Sequence, residues 1–232
     1  MIKNINRSVL RQFFLIFFGI TAFAIMSFSS FEPSMGYAAT STGTSTVQLT
    51  VQSSLSINGG CSGSYAYVAT MTPNIAVGQD SSIGSTTCGV NTNSLTGYVM
   101  KISATGTPAM KGTASSTLVI PDFGTTSAAV WGTPSTAAFG YTAYNSNNNV
   151  DAKFTASGIT NCGTAGAGGY TAAGSNKFLG LTTTGTTTAS ESTPTGGYDT
   201  IVLCWIVAQN GASYNISPDT YKAIIVATVT AN

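Results

Sequence analysis

Thr200-Ile-Val-Leu-Cys-Trp-Ile-Val-Ala-Gln209 and Thr220-Tyr-Lys-Ala-Ile-Ile-Val-Ala-Thr-Val-Thr-Ala231, split by Asn210-Gly-Ala-Ser-Tyr-Asn-Ile-Ser-Pro-Asp219, decide the fold class. Both runs are rich in Ile, Val and Thr, are bounded by Asn, Gly, Pro and Asp, and carry no helical stripe, so each predicts a β-strand. The first is apolar on both faces from Ile201 to Ala208. The second is apolar on both faces at Ile224, Ile225 and Val226 before it alternates through Thr228, Val229 and Thr230. Strands dry on both faces need cover on two sides, which places both centrally in a packed sandwich.

Upstream, Thr46-Val-Gln-Leu-Thr-Val-Gln-Ser-Ser-Leu-Ser-Ile57 alternates, with Val47, Leu49, Val51, Leu55 and Ile57 on one face, and predicts a strand with one dry side. Tyr65 to Thr70 reads as a further short strand and Thr72 to Ser85 as a loop. In Gly97-Tyr-Val-Met-Lys-Ile-Ser-Ala104 the side chains of Tyr98, Met100 and Ile102 face one way, Lys101 and Ser103 the other. Thr117 to Ile120, Ala128 to Trp131 and Ala137 to Tyr144 also read as extended. Gly158 to Gly197, dominated by Gly, Thr, Ser and Ala, reads as a long excursion between strands with one apolar cluster at Lys177 to Leu181. Many short strands between Gly, Asn and Pro turns, with no repeat period, predict an all-β antiparallel sandwich without helices beyond the leader.

That leader is the first 38 residues. Lys3, Arg7 and Arg11 precede an apolar run from Phe13 to Phe28, and Gly36-Tyr-Ala38 offers small residues where a signal peptidase reads, so a secretory signal helix is expected over 1–38. A retained anchor is the alternative reading. Of the eight basic residues three lie in the leader, and of the seven acids Glu32 does, leaving five lysines against six acids and no Arg. Such a chain has no basic stripe for phosphates, so neither nucleic-acid binding nor attraction to a membrane surface is expected, and no membrane insertion once the leader is removed. Residues 39–232 suit one β-sandwich domain, begun by the polar tether Thr40 to Ser45. Charged residues are only 6% of the chain, so the surface repels its neighbours weakly, as suits a protein that assembles.

Four cysteines in an exported chain predict disulfides, with three pairings open. Cys61 with Cys88 and Cys162 with Cys204 is favoured, because each pair is nearest in sequence and joins a Gly-rich loop to a strand edge. A zinc site is disfavoured by the absence of His and of CxxC spacing.

The absence of His also removes the commonest general base and the usual serine and cysteine nucleophile pairs. Asp199 and Asp219 flank the two C-terminal strands and are the pair of acids to consider for glycoside hydrolysis; solvated turn residues are the simpler reading. Asn145, Asn147, Asn149 and Asp151 fall at alternate positions, but a single charge makes an Asn-rich turn a better account than a calcium loop. Trp131, Phe139, Tyr141 and Tyr144 would form a sugar-stacking surface if exposed, but aromatics at period two in strands are more often core. Lys101 or Lys222 would form an amide cross-link with a neighbouring Asn only if buried beside an acid. No catalysis, metal or cofactor is expected.

The order of a leader, an alternating strand running into Asn58-Gly-Gly-Cys61, a second cysteine at Cys88 leading to Tyr98, the segment Phe139-Gly-Tyr-Thr-Ala-Tyr144 and the terminal Ser217-Pro-Asp-Thr-Tyr-Lys-Ala-Ile-Ile-Val-Ala-Thr-Val-Thr-Ala231 resembles the spore coat protein U-like domain and the related pilin subunits of archaic chaperone-usher systems. Asp219 stands where that family has Gly, and Cys162 and Cys204 are additional. The resemblance implies an incomplete immunoglobulin-like sandwich, a Cys61–Cys88 bridge, and an N-terminal strand of one subunit completing the sheet of the next with Val47, Leu49 and Val51 as inserted side chains. The function expected is an exported cell-surface structural or adhesive subunit, pilus-like or coat-like, that pairs through strand edges with itself or with other surface subunits. The alternative is a secreted carbohydrate-binding module using Trp131, Tyr141 and Tyr144.

Overall fold

A computed structural model describes residues 48–50, 52–62, 69–76, 79–124, 127–132, 137–145, 149–154, 161–167, 169–174, 176–209 and 216–232. The leader, Val47, Val51 and the segment 65–68 lie outside these residues. Among these residues twelve strands follow in order: β1 (Leu55–Gly59), β2 (Ser81–Thr92), β3 (Tyr98–Ala104), β4 (Met110–Gly112), β5 (Val119–Ile120) and β6 (Ala129–Val130). Then come β7 (Ala138–Tyr144), β8 (Lys177–Phe178), β9 (Thr186–Glu191), β10 (Asp199–Ala208), β11 (Tyr221–Ala223) and β12 (Ile225–Ala231). No helix occurs among the described residues. The described residues are all-β, every paired strand among them runs antiparallel, and residues 51–232 form one compact unit.

One layer is the sheet β1-β2-β10-β7. The other is carried by β12-β3-β9 and, where β11 and β4 continue the lines of β12 and β3, by β11-β4-β5. Alternation places Ile201, Leu203, Trp205 and Val207 of β10 and Phe139, Tyr141 and Ala143 of β7 against Tyr98, Met100 and Ile102 of β3, in one continuous core. The expected split of β3 holds, with Lys101 exposed on the opposite face.

β10 is the central strand its sequence predicts, held between β2 and β7. Its second apolar face has a separate cover. Ile206 and Ala208 pack with Trp131, Ala138 and Phe178, so a smaller cluster seals the outside of the first sheet at one end. Trp131 stacks on Phe123 at 4.4 Å between centroids and meets Phe178 edge-on at 5.3 Å. The Cys162–Cys204 disulfide fastens the excursion to this outer face, and Cys61–Cys88 ties the turn after β1 to β2. Both are the favoured pairings.

Four expectations are corrected. Ser81 to Ser85, read as loop, is the start of β2, a strand of 12 residues in the interior of the sheet. Its Ser and Gly content hides it in sequence. Small residues are required because Gly84 lies against the Thr70 carbonyl and Met71, and Gly89 beneath Asn58 and Tyr198. Within the alternating segment 46–57, the described residues 48–50 and 52–54 are not in a strand: β1 begins at Leu55, and Gln52 to Ser54 are held by the Asn93 side chain, which donates to the Gln52 carbonyl at 2.8 Å and accepts from the Ser54 N–H at 2.6 Å. The excursion 158–197 is partly structural, since it contains β9 and contributes Leu179, Leu181 and Ala189 to the core. A register shift opposite Met100 and Lys101 places an extra residue in β9, so Thr188 as well as Ala189 is buried, with the Thr188 hydroxyl 3.3 Å from that of Tyr141. Burial there pushes the Tyr141 phenol up to about 12. The fourth correction, to the terminal strand, defines the candidate site.

Candidate functional site: an unpaired strand edge

The second C-terminal run is not central. It breaks at Ile224 into β11 and β12, and β12 is hydrogen-bonded to β3 on one side and to no strand on the other among the described residues, although β1 of the first sheet passes close to it. One face also meets solvent: Ile224 is 54% exposed and Val226 41%. The alternation of Thr228, Val229 and Thr230 was the better signal, and the Ile-Ile-Val run masked it.

Two backbone hydrogen bonds set which groups face the open side. Thr105 N–H donates to the Ile224 carbonyl at 3.1 Å, and Asn232 N–H donates to the Gly97 carbonyl at 3.1 Å. In an antiparallel ladder without slippage, bonded pairs occur at every second residue, so positions 226, 228 and 230 bond to β3 as well. Ile225, Ala227, Val229 and Ala231 therefore turn their N–H and C=O groups away from β3. Their side chains point the other way from those of Val226, Thr228 and Thr230. Ile225, Ala227 and Val229 pack against the main core but are only half-buried, so the core is thinly covered along this edge. The edge is long for its kind and carries no Pro or inward charge to block pairing.

Glycine and aspartate hold the ends of this strand system. Gly97 (φ +75°) precedes β3, and a Cβ there would run into the Glu191 carbonyl oxygen. At the other end Asp219 accepts from the backbone N–H of Thr220 at 2.6 Å, Ala114 at 3.2 Å and Ser115 at 3.3 Å. Slight desolvation works upward on its carboxyl, but the N–H groups of Ala114, Thr220 and Ser115 and the Thr113 hydroxyl together hold it below the ordinary value of 3.8. A depressed folded-state value adds stability above the unfolded value and loses it as pH falls through the folded one. Wild type is accordingly expected to lose stability more steeply than Asp219→Asn between about pH 5 and pH 3 in urea titrations. Parallel curves would show that the carboxylate charge contributes nothing. Asp122 works in the opposite sense, because burial raises its carboxyl despite hydrogen bonds from Ala109 and Leu181, and it is intact in both proteins.

The remaining expected site residues are placed as follows. Leu49 is 83% exposed, while Val47 and Val51 lie outside the described residues. Trp131 is 6% exposed and Tyr141 fully buried, so these rings fill cores and offer no stacking face; Tyr144, at the end of β7, is half-buried. Period-two spacing of aromatics on β7 made them core residues, and Trp131 is buried by the smaller cluster. Asp199 points inward and accepts from Asn149 Nδ2 at 2.8 Å, whereas Asp219 caps the β11 turn, so the two acids have separate partners. Asn145 Oδ1 accepts from Asn149 N–H, Asp151 pairs with Lys153 at 3.1 Å, and Asn147 lies outside the described residues. Among those described, no three His, Cys, Asp or Glu side chains cluster as metal ligands. Lys101 and Lys222 are exposed on strand faces, so neither has the burial that a cross-link requires.

No family model and no curated protein sequence matches the chain. Two disulfides are compatible with an oxidising, extracellular setting, and no helix among the described residues is long and apolar enough to cross a membrane.

Proposed function

We propose that this protein is an exported structural or adhesive subunit of a cell surface that associates by adding a strand at the β12 edge, with residues 46–52 of a second copy as the added strand. The carrying observation is the open row of backbone groups at Ile225, Ala227, Val229 and Ala231 above half-covered core side chains. An incoming strand satisfies those groups and covers the side chains beneath them, which is how edge addition gains affinity. Thr46-Val-Gln-Leu-Thr-Val-Gln52 has the matching period, three apolar residues on one face and four polar ones on the other. The exposed Leu49 is consistent with a side chain whose cover comes from elsewhere. The charge-poor surface supports close packing of copies.

Proline discriminates between the two sides of β12. At Ala227 the N–H points to the open side, so Ala227→Pro removes an outward donor and leaves the ladder to β3 intact, the position in which edge strands tolerate proline. Thr228→Pro removes a bond to β3. The expected result is that Ala227→Pro stays folded and monomeric by light scattering under conditions where wild type self-associates, while Thr228→Pro is destabilised. Deleting Thr40 to Gln52 is expected to give the same folded monomer as Ala227→Pro. Oligomers that persist in both would sink the proposal.

A further inference from the structure

The outer face of the first sheet is sealed at one end by the Trp131–Phe178 cluster and open at the other. We infer that the open end, a trough of about 360 Å³ over Gly89, binds a neutral saccharide. This site is on the opposite side of the sheet from the main core and uses none of the residues of the β12 edge.

The trough is built by alternation. On β10 the side chains of Asp199, Ile201 and Leu203 go inward, so those of Tyr198 and Thr200 go outward; on β2 Cys88 and Val90 go inward, leaving Thr87 outward beside Gly89. Gly89 supplies the floor. A Cβ on it would run into the Asn58 amide and approach the Tyr198 ring at 3.2 Å, so these two side chains lean over the glycine from either side. Tyr198 is 50% exposed, and its hydroxyl lies 3.5 Å from Ser56 Oγ on β1. The result is an aromatic face beside a planar amide and the exposed hydroxyls of Thr87 and Thr200.

The lining chemistry selects the ligand class. Among the described residues no charged side chain lines the trough, so a phosphate, uronate or ammonium would find no counter-charge there. Hydroxyls and a carboxamide both donate and accept, as sugar hydroxyls do, and the tyrosine ring suits the apolar C–H face of a pyranose. The volume is at the lower end of that of small-molecule sites, roughly 300–1,000 Å³, enough for one or two sugar rings. The open, shallow form suits an internal stretch of a polysaccharide that passes over the sheet. Tyr144, opposite Val202 on β7, is the remaining aromatic from the segment considered for sugar stacking, but it does not line the trough.

Backbone amide shift mapping of the full exported chain against neutral oligosaccharides, namely β-glucan, mannan and N-acetylglucosamine hexamers, with a hexuronate hexamer as the charged arm, tests the assignment. At least one neutral hexamer is expected to shift the amides of Asn58, Thr87, Gly89 and Thr200. Tyr198→Ala is expected to weaken that binding about tenfold while leaving the unfolding midpoint unchanged, since the ring is at the surface. Thr87→Lys, which crowds the trough without touching a core, should weaken it as well. No shift at these amides with any neutral hexamer, preference for the hexuronate, or full affinity in Tyr198→Ala would each overturn the assignment. Because Ala227→Pro lies on the other sheet, a monomeric variant that still binds sugar separates this inference from the proposed assembly.

Discussion

Replacing Trp205 by alanine is expected to lower the unfolding free energy by about 4 kcal/mol, within the roughly 3–5 kcal/mol range for large aromatic truncations in cores. Trp205 is 6% exposed at the centre of β10, with Tyr141 at 5.8 Å and Phe139 at 6.4 Å between ring centroids. Its Nε1–H donates at 2.8 Å to the hydroxyl of Thr86, which is itself buried on β2. Truncation thus leaves a cavity between the layers and strands a polar atom inside it, the second effect adding about 1 kcal/mol or more. Against a total of about 5–15 kcal/mol for a domain, the variant is at the margin of folding. Trp205→Phe keeps most of the packing and loses the hydrogen bond, so it isolates the smaller contribution. Urea denaturation of both variants is the measurement; a loss below about 1 kcal/mol for the alanine variant would show that the two layers do not meet at Trp205.

Removing the Cys162–Cys204 disulfide as the double alanine variant is expected to cost nearly as much. The bridge closes a loop with a sequence separation of 42, for which the chain-entropy estimate is about 4 kcal/mol, against about 3.5 kcal/mol for the separation of 27 closed by Cys61–Cys88. Beyond entropy, it anchors the excursion over Ile206 and Ala208, so its loss should loosen the outer cluster before the main core. Hydrogen exchange should accordingly rise first at Phe178 and Trp131, with Met100 and Leu203 protected. Uniform exchange across both clusters would show that the bridge acts on the whole domain rather than on the outer face.

The strands legible in the sequence were those whose pattern is imposed by a single environment. β3 alternates because one face lies on the core and the other in water, and β10 is apolar from Ile201 onward because it has a cluster on each side. β2 was not legible, since its defining property is closeness to neighbours. Gly84 and Gly89 are there for what approaches them, and a lone sequence shows a glycine without showing its neighbour. β9 was hidden likewise in a Thr run, where only the shift opposite Met100 turns Thr188 inward. The disulfide pairing was readable from spacing, whereas the aromatic residues of the candidate sugar surface were not placed by their pattern, because Tyr141 and Trp131 fit a core as well as a surface, and both are buried.

Composition and periodicity alone determined that this chain folds as antiparallel strands joined by disulfides, with a charge-poor surface and no histidine to exchange protons at neutral pH. Those are local properties, set by which side chains alternate and which are absent. Only the tertiary structure decided that β12 ends a sheet instead of lying within it, and that Tyr198 and Asn58, 140 residues apart in the chain, share one trough over Gly89. The physical reason is that an edge and a concavity are defined by what lies next to a residue in space, and strand order in a sheet built from distant segments leaves no mark on the periodicity of any one of them.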